Sequence, residues 1–228
     1  MSEKLTQTEV EIPAAQVKLG GEIVLPEQAE GIVLFAHGSG SSRHSPRNQY
    51  IARVLQSAGL GTLLFDLLTE EEETIDLSTG HLRFDIELLA RRLVHATRWV
   101  QHNPSTQRLN IGYFGASTGG GAALMAAGIM GEQIRAIVSR GGRPDLAAES
   151  LPHVRTPTLL IVGGYDERVI EFNRSAYERL HGEKSLEIVP NASHLFEEAG
   201  ALEEVARLSA YWFIQYLQTH KQSKNAEE

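Results

Sequence analysis

The sequence predicts an α/β fold: a mostly parallel, twisted sheet with helices on both faces, antiparallel strands at its N-terminal start and no large cap domain. Three observations predict it. From Gly31 to Leu217, short apolar runs alternate with stretches of helical periodicity, the pattern of a sheet covered on both sides. Runs such as residues 32–36 (IVLFA) are apolar throughout, as strands buried on both faces require. Before Gly31 the rhythm differs. Residues 10–12, 16–19 and 22–25 read as short strands, and Gly20-Gly21 is a hairpin signal between the last two.

After residues 32–36 comes the polar loop HGSGSSRHSPRN. Residues 49–58 follow with Ile51, Val54, Leu55 and Ala58 at helical spacing, ended by Gly59. Residues 62–65 form a second buried strand, and the acidic residues 70–73 read as a loop. Leu82, Ile86, Leu89, Leu93 and Val100 mark one stripe of a long helix, with Pro104 beyond its end. Residues 109–114 are a strand, 115–121 a glycine-rich turn and 122–130 a helix of small residues. Further strands are expected at 135–139, 158–162 and 185–189, and helices at 171–180 and 197–217. The expectation is one domain over residues 1–228, with a core from about 10 to 218 and a polar, frayed tail at 219–228.

Composition excludes several function classes. Lys and Arg number 21 against 29 Asp and Glu, a formal net charge of -8, which argues against a nucleic-acid partner. The chain has no cysteine, so disulfides, thiolate metal sites and a cysteine nucleophile are ruled out. No apolar run reaches the roughly 18 residues of a membrane span. The first residues, MSEKLTQTEVEIP, hold no apolar secretory core, so a cytoplasmic protein without a membrane partner is expected. The histidines are scattered without metal-ligand spacing, and neither a metal nor a cofactor is expected.

The strongest chemical signal is Gly115-Ala116-Ser117-Thr118-Gly119, a G-x-S-x-G pattern between an apolar strand and a helix. A serine on such a sharp turn is lifted out of the sheet at the positive end of the following helix, where developing negative charge is favoured. The plainer reading is a glycine-rich turn whose serine caps a helix. A serine nucleophile needs a base, and the base an orienting acid. Asp166 stands after the strand at 158–162, with Glu167 as its adjacent alternative, and His194 stands after the strand at 185–189. His37 and His44 lie near the site but upstream of Ser117, and the remaining histidines do not follow a core strand. Two backbone N–H groups should hold an oxyanion: Thr118, and Ser39 in His37-Gly38-Ser39-Gly40, with Gly40 as the near alternative. Arg43, Arg47, Arg140 and Arg143 flank this place and are candidates for contact with an anionic substrate; pairing with Asp66, Glu70–Glu73 or Asp145 is the competing role.

The stretches HGSGSSRHSPRN, FDLLTEEE, GYFGASTGGGAA, SRGGRPD, GGYDERV and NASHLF together resemble the α/β-hydrolase superfamily, and within it the dienelactone-hydrolase-like branch. The resemblance runs from about Gly31 to Leu217. It implies Ser117 as nucleophile, Asp166 as acid and His194 as base in an enzyme without a cofactor. Dienelactone hydrolase proper uses a cysteine where this chain has Ser117, so its substrate does not carry over. The resulting expectation is a hydrolase of small esters or lactones, anionic ones included. The alternatives are a thioesterase, peptidase or acyltransferase, or a binding module that keeps the fold.

Overall fold

The structure, a computed structural model, describes residues 5–218. The tail at 219–228 lies outside the described residues. Eight strands form one sheet in the order β1-β2-β4-β3-β5-β6-β7-β8. The strands are β1 (Leu5–Ala14), β2 (Val17–Pro26), β3 (Gly31–Ala36), β4 (Gly61–Phe65), β5 (Asn110–Ala116), β6 (Ile134–Arg140), β7 (Thr158–Gly163) and β8 (Lys184–Val189). β1–β2 and β2–β4 pair antiparallel, and every pairing from β4 through β8 is parallel. β3 lies between β4 and β5, so the chain winds to one side of β3 and then crosses to the other. Such a reversal opens a crevice at the carboxyl ends of the strands.

The apolar run at 32–36 splits between the two faces as the period of two demands. Ile32, Leu34 and Ala36 enter one core, while Val33 and Phe35 enter the other. Burial of each of the four larger side chains is worth about 1.5–3 kcal/mol. The helices are α1 (Pro46–Ser57), α2 (Glu70–Thr79), α3 (Ile86–His102), α4 (Thr118–Met130), α5 (Glu167–Arg179) and α6 (Ala201–Leu217). α1 and α6 pack together on one face; α3 and α4 pack together on the other, where α5 covers β7 and β8.

Four local expectations are corrected. Gly20-Gly21 is not a turn: β2 runs straight through it, and the hairpin turns at Ala15-Gln16, with Ala14 opposite Val17 and Ala15 at φ 57. The glycines serve close approach instead, since a Cβ on Gly20 would lie 2.7 Å from the Arg43 guanidinium. The acidic stretch at 70–73 is the first turn of α2, where Thr69 and Glu72 form a reciprocal capping box. The stripe from Leu82 is broken: residues Leu82–Phe84 form a 3-10 turn, and Asp85 then caps α3. α5 begins at Glu167 and α6 at Ala201, so the acids at 197 and 198 remain in a loop. No helix of the described residues is long and apolar enough to cross a membrane.

Candidate active site

β5 ends at Ala116, and the chain turns at Ser117 directly into α4. Ser117 holds φ 51, ψ -119, a region an L-residue occupies at a cost of about 1–3 kcal/mol. Two hydrogen bonds fix it: its N–H donates to the Arg140 carbonyl at 3.1 Å, and its carbonyl accepts from the Arg143 N–H at 3.0 Å. Gly119 is obligatory for packing, because a Cβ there would fall 2.1 Å from the Ala36 carbonyl oxygen. Thr118 is the first residue of α4, so its N–H has no acceptor within the helix.

Asp166 lies on the loop after β7 and His194 on the loop after β8. The two loops are laced together: the Tyr165 N–H donates to the Ala192 carbonyl at 2.9 Å, and the Tyr165 hydroxyl bonds Asn191 Oδ1 at 3.0 Å. His194 Nδ1 meets Asp166 Oδ2 at 2.5 Å, and His194 Nε2 meets Ser117 Oγ at 3.3 Å. With the ring hydrogen on Nδ1 donated to the carboxylate, Nε2 is an acceptor for the serine hydroxyl. His194 thus meets partners 28 and 77 residues earlier in the chain at one rim of the sheet. Glu167, the alternative acid, is instead exposed in the first turn of α5.

A cleft of about 280 Å³ opens beside the elbow, lined by residues 37–42, Thr118, Leu67, Leu68, Leu89 and α2. Ser39 and Gly40 are both on its wall, and Gly38 packs against Ser117, its absent Cβ position being 3.1 Å from that of the serine. Sequence reasoning missed what holds this loop. Buried His37 donates from Nδ1 to the Gly38 carbonyl at 3.0 Å and accepts the Leu67 N–H on Nε2 at 3.0 Å. Burial pushes its pKa below the usual imidazole value, against the pull of the Gly38 carbonyl and Asp66. The α2 wall was also missed, although the Thr69-Glu72 spacing of a capping box was there to be read. It brings Glu73, Asp76 and Leu77 to the cleft. Burial, with Asp66 and Glu70 nearby, raises the Glu73 pKa.

The four flanking arginines divide. Arg43 is ion-paired with Asp66, which also accepts its backbone N–H at 2.8 Å. Arg47 reaches Glu197 at 3.3 Å, and Arg143 holds Asp145 in two bonds of 2.8 and 2.7 Å. Arg140 is 7% exposed and has no carboxylate partner among the described residues. Among the described residues, no group of three or more His, Asp or Glu gathers as metal ligands would.

The sheet order, the strained serine turn and the acid and histidine on successive later loops define an α/β-hydrolase. The chain belongs to the dienelactone hydrolase family, whose family model matches residues 19–221. A solved dienelactone hydrolase from Anabaena variabilis is 64% identical, with a TM-score of 0.92 over 94% of this chain and 99% of that one. Est1E from Butyrivibrio proteoclasticus shares the fold at 13% identity, with a TM-score of 0.77 over 91% and 98% of the two chains. A Mycobacterium tuberculosis protein named as a phosphoribosyl transferase is 55% identical over 213 residues, covering 93% of this chain. The chain spans 47% of that relative's length.

Proposed function

We propose that this protein hydrolyses small carboxylic esters or lactones through an acyl-enzyme on Ser117. The observation that carries the reading is the run of hydrogen bonds from Ser117 Oγ through His194 to Asp166. His194 Nε2 takes the hydroxyl proton as Oγ attacks the ester carbonyl. Asp166 keeps the imidazole in the required tautomer and stabilises the imidazolium. The N–H groups of Thr118 and Ser39 hold the oxyanion of the tetrahedral intermediate, both lining one cleft. His194 then protonates the leaving alkoxide, and water, deprotonated by the same imidazole, releases the acid. The cleft volume of about 280 Å³, with no large cap among the described residues, suits small substrates. The mycobacterial relative carries a transferase name, but this chain matches only 47% of its length, and that name is not carried over.

An activated ester such as 4-nitrophenyl acetate tests the reading. A burst of nitrophenol equal to the enzyme present, and labelling of Ser117 by a fluorophosphonate, are expected. Folded protein that neither labels at Ser117 nor turns over any ester, thioester or lactone of a small-substrate panel would leave a binding module as the better account.

A further inference from the structure

Arg140 is the last residue of β6, opposite Ala116 at the end of β5. Alternation puts its side chain on the face of Ala136 and Val138, which share a core with Phe196. Its Cζ lies 5.8 Å from the Phe196 ring centroid, just behind the loop that carries His194. Nε and Nη1 are sealed from solvent and carry hydrogens that meet no acceptor, while Nη2 is not sealed. A buried guanidinium ordinarily has a carboxylate against it, because an unpaired buried charge is severely penalised.

The surrounding charges deepen the imbalance. Arg47, in the first turn of α1, is the charged neighbour, and its own Nε is also sealed without a partner. That turn holds no acid, so the positive end of α1 is uncompensated there. The acids that could have answered are engaged: Glu197 with Arg47, Glu198 with the Ser193 N–H, Asp166 with His194. Burial, with repulsion from Arg47, lowers the Arg140 pKa to about 10, as expected of a cation lacking its counter-charge.

We infer that Arg140 and Arg47 form a binding site for a compact oxyanion, a carboxylate or phosphate group, beside the His194 loop. Nη2 of Arg140 is open to one oxygen of such a group, and Arg47 closes on it by releasing Glu197. The group could be part of the substrate or a free anion, and both carry the same chemistry. The site does not depend on the hydrolase reading.

Inorganic phosphate is the probe, followed by broadening of its phosphorus resonance at constant ionic strength. The proteins are Ser117→Ala and the same chain carrying Arg140→Met or Arg47→Gln. Saturable binding is expected, abolished by Arg140→Met and weakened several-fold by Arg47→Gln. The latter is at the surface, so it reports even where the former does not fold. The source is read from turnover of two matched esters, 4-nitrophenyl hydrogen glutarate and its methyl ester, with Ser117 in place. If the substrate supplies the anion, Arg140→Met or Arg47→Gln raises the ratio of KM for the acid to KM for the methyl ester, by about tenfold for Arg140→Met. An unchanged ratio, with phosphate binding lost in Arg140→Met or weakened in Arg47→Gln, assigns the site to a free anion. Phosphate binding that neither substitution weakens overturns the proposal. Absence of saturable phosphate binding together with no preference for the acid ester overturns the proposal.

Discussion

The two walls of the cleft are built by opposite means. The elbow wall, from Ala116 into α4, is set by backbone fitted against backbone: Gly119 under the Ala36 carbonyl, and Ser117 held at φ 51 between Arg140 and Arg143. The α2 wall is set by charged side chains. Asp76 is its one buried residue, bound to Arg83 and, at 2.7 Å, to the Leu82 N–H, while Glu72 meets Arg92 at 2.6 Å. Leu77 and Ile75 on α2 are 80% and 55% exposed. The difference separates two tasks. On the proposed function the elbow places a reacting oxygen, a task that tolerates little movement and so uses contacts that cannot slide. A wall that meets varied substrates can rest on a few exchangeable contacts.

The largest expected effect lies on the elbow. Ser117→Ala should lower kcat for a 4-nitrophenyl ester by about three decades or more, with a nearly unchanged thermal midpoint, because alanine keeps the Cβ and with it the backbone strain. A variant that keeps near-full turnover would remove the elbow from the chemistry. Asp166→Asn should cost about two to four decades in kcat, since the amide favours the wrong His194 tautomer; pre-steady-state kinetics would show a slowed burst. Gly119→Ala should destabilise the fold by about 2–4 kcal/mol in urea titration, because backbone must move to admit the methyl group. A cost below about 1 kcal/mol would mean that the elbow is not as rigid as its contacts suggest.

On the other wall, Asp76→Asn should leave global unfolding nearly in place and raise hydrogen exchange through α2, with KM changing more than kcat. Equal loss in both constants would make α2 part of the chemical machinery. The smallest effect concerns His37, which joins the walls. Its folded pKa is lowered below 6.5, so the unfolded chain binds the proton more readily. Its contribution is therefore complete above 6.5 and is lost as pH falls through that value towards the folded pKa. His37→Gln should flatten the slope of stability against pH across that window, as measured by denaturant midpoints.

Much of this site was legible in the chain. Gly115-Ala116-Ser117-Thr118-Gly119 announces its turn because only glycine at 115 and 119 lets strand, helix and neighbouring loop pass so closely. Asp166 and His194 were readable because each follows an apolar strand, and in a parallel sheet those ends share one rim. The Gly20-Gly21 pair misled because glycine marks a turn and a close packing contact equally well, and only the neighbour, Arg43, tells them apart. The acidic run at 70–73 hid a helix because its stability comes from a cap and from Arg83 and Arg92 rather than an apolar stripe.

The amino-acid order by itself determined the alternation of strand and helix, the turn that lifts Ser117 and the loops that bear its partners, since these follow from local periodicity and backbone sterics. Tertiary structure alone decided which charges meet. Arg143 found its carboxylate two residues along the chain, but Arg43 and Arg47 found theirs 23 and 150 residues away and Arg140 found none, because such pairing depends on side chains brought within a few ångströms from distant positions. Neither composition nor spacing carries that distance.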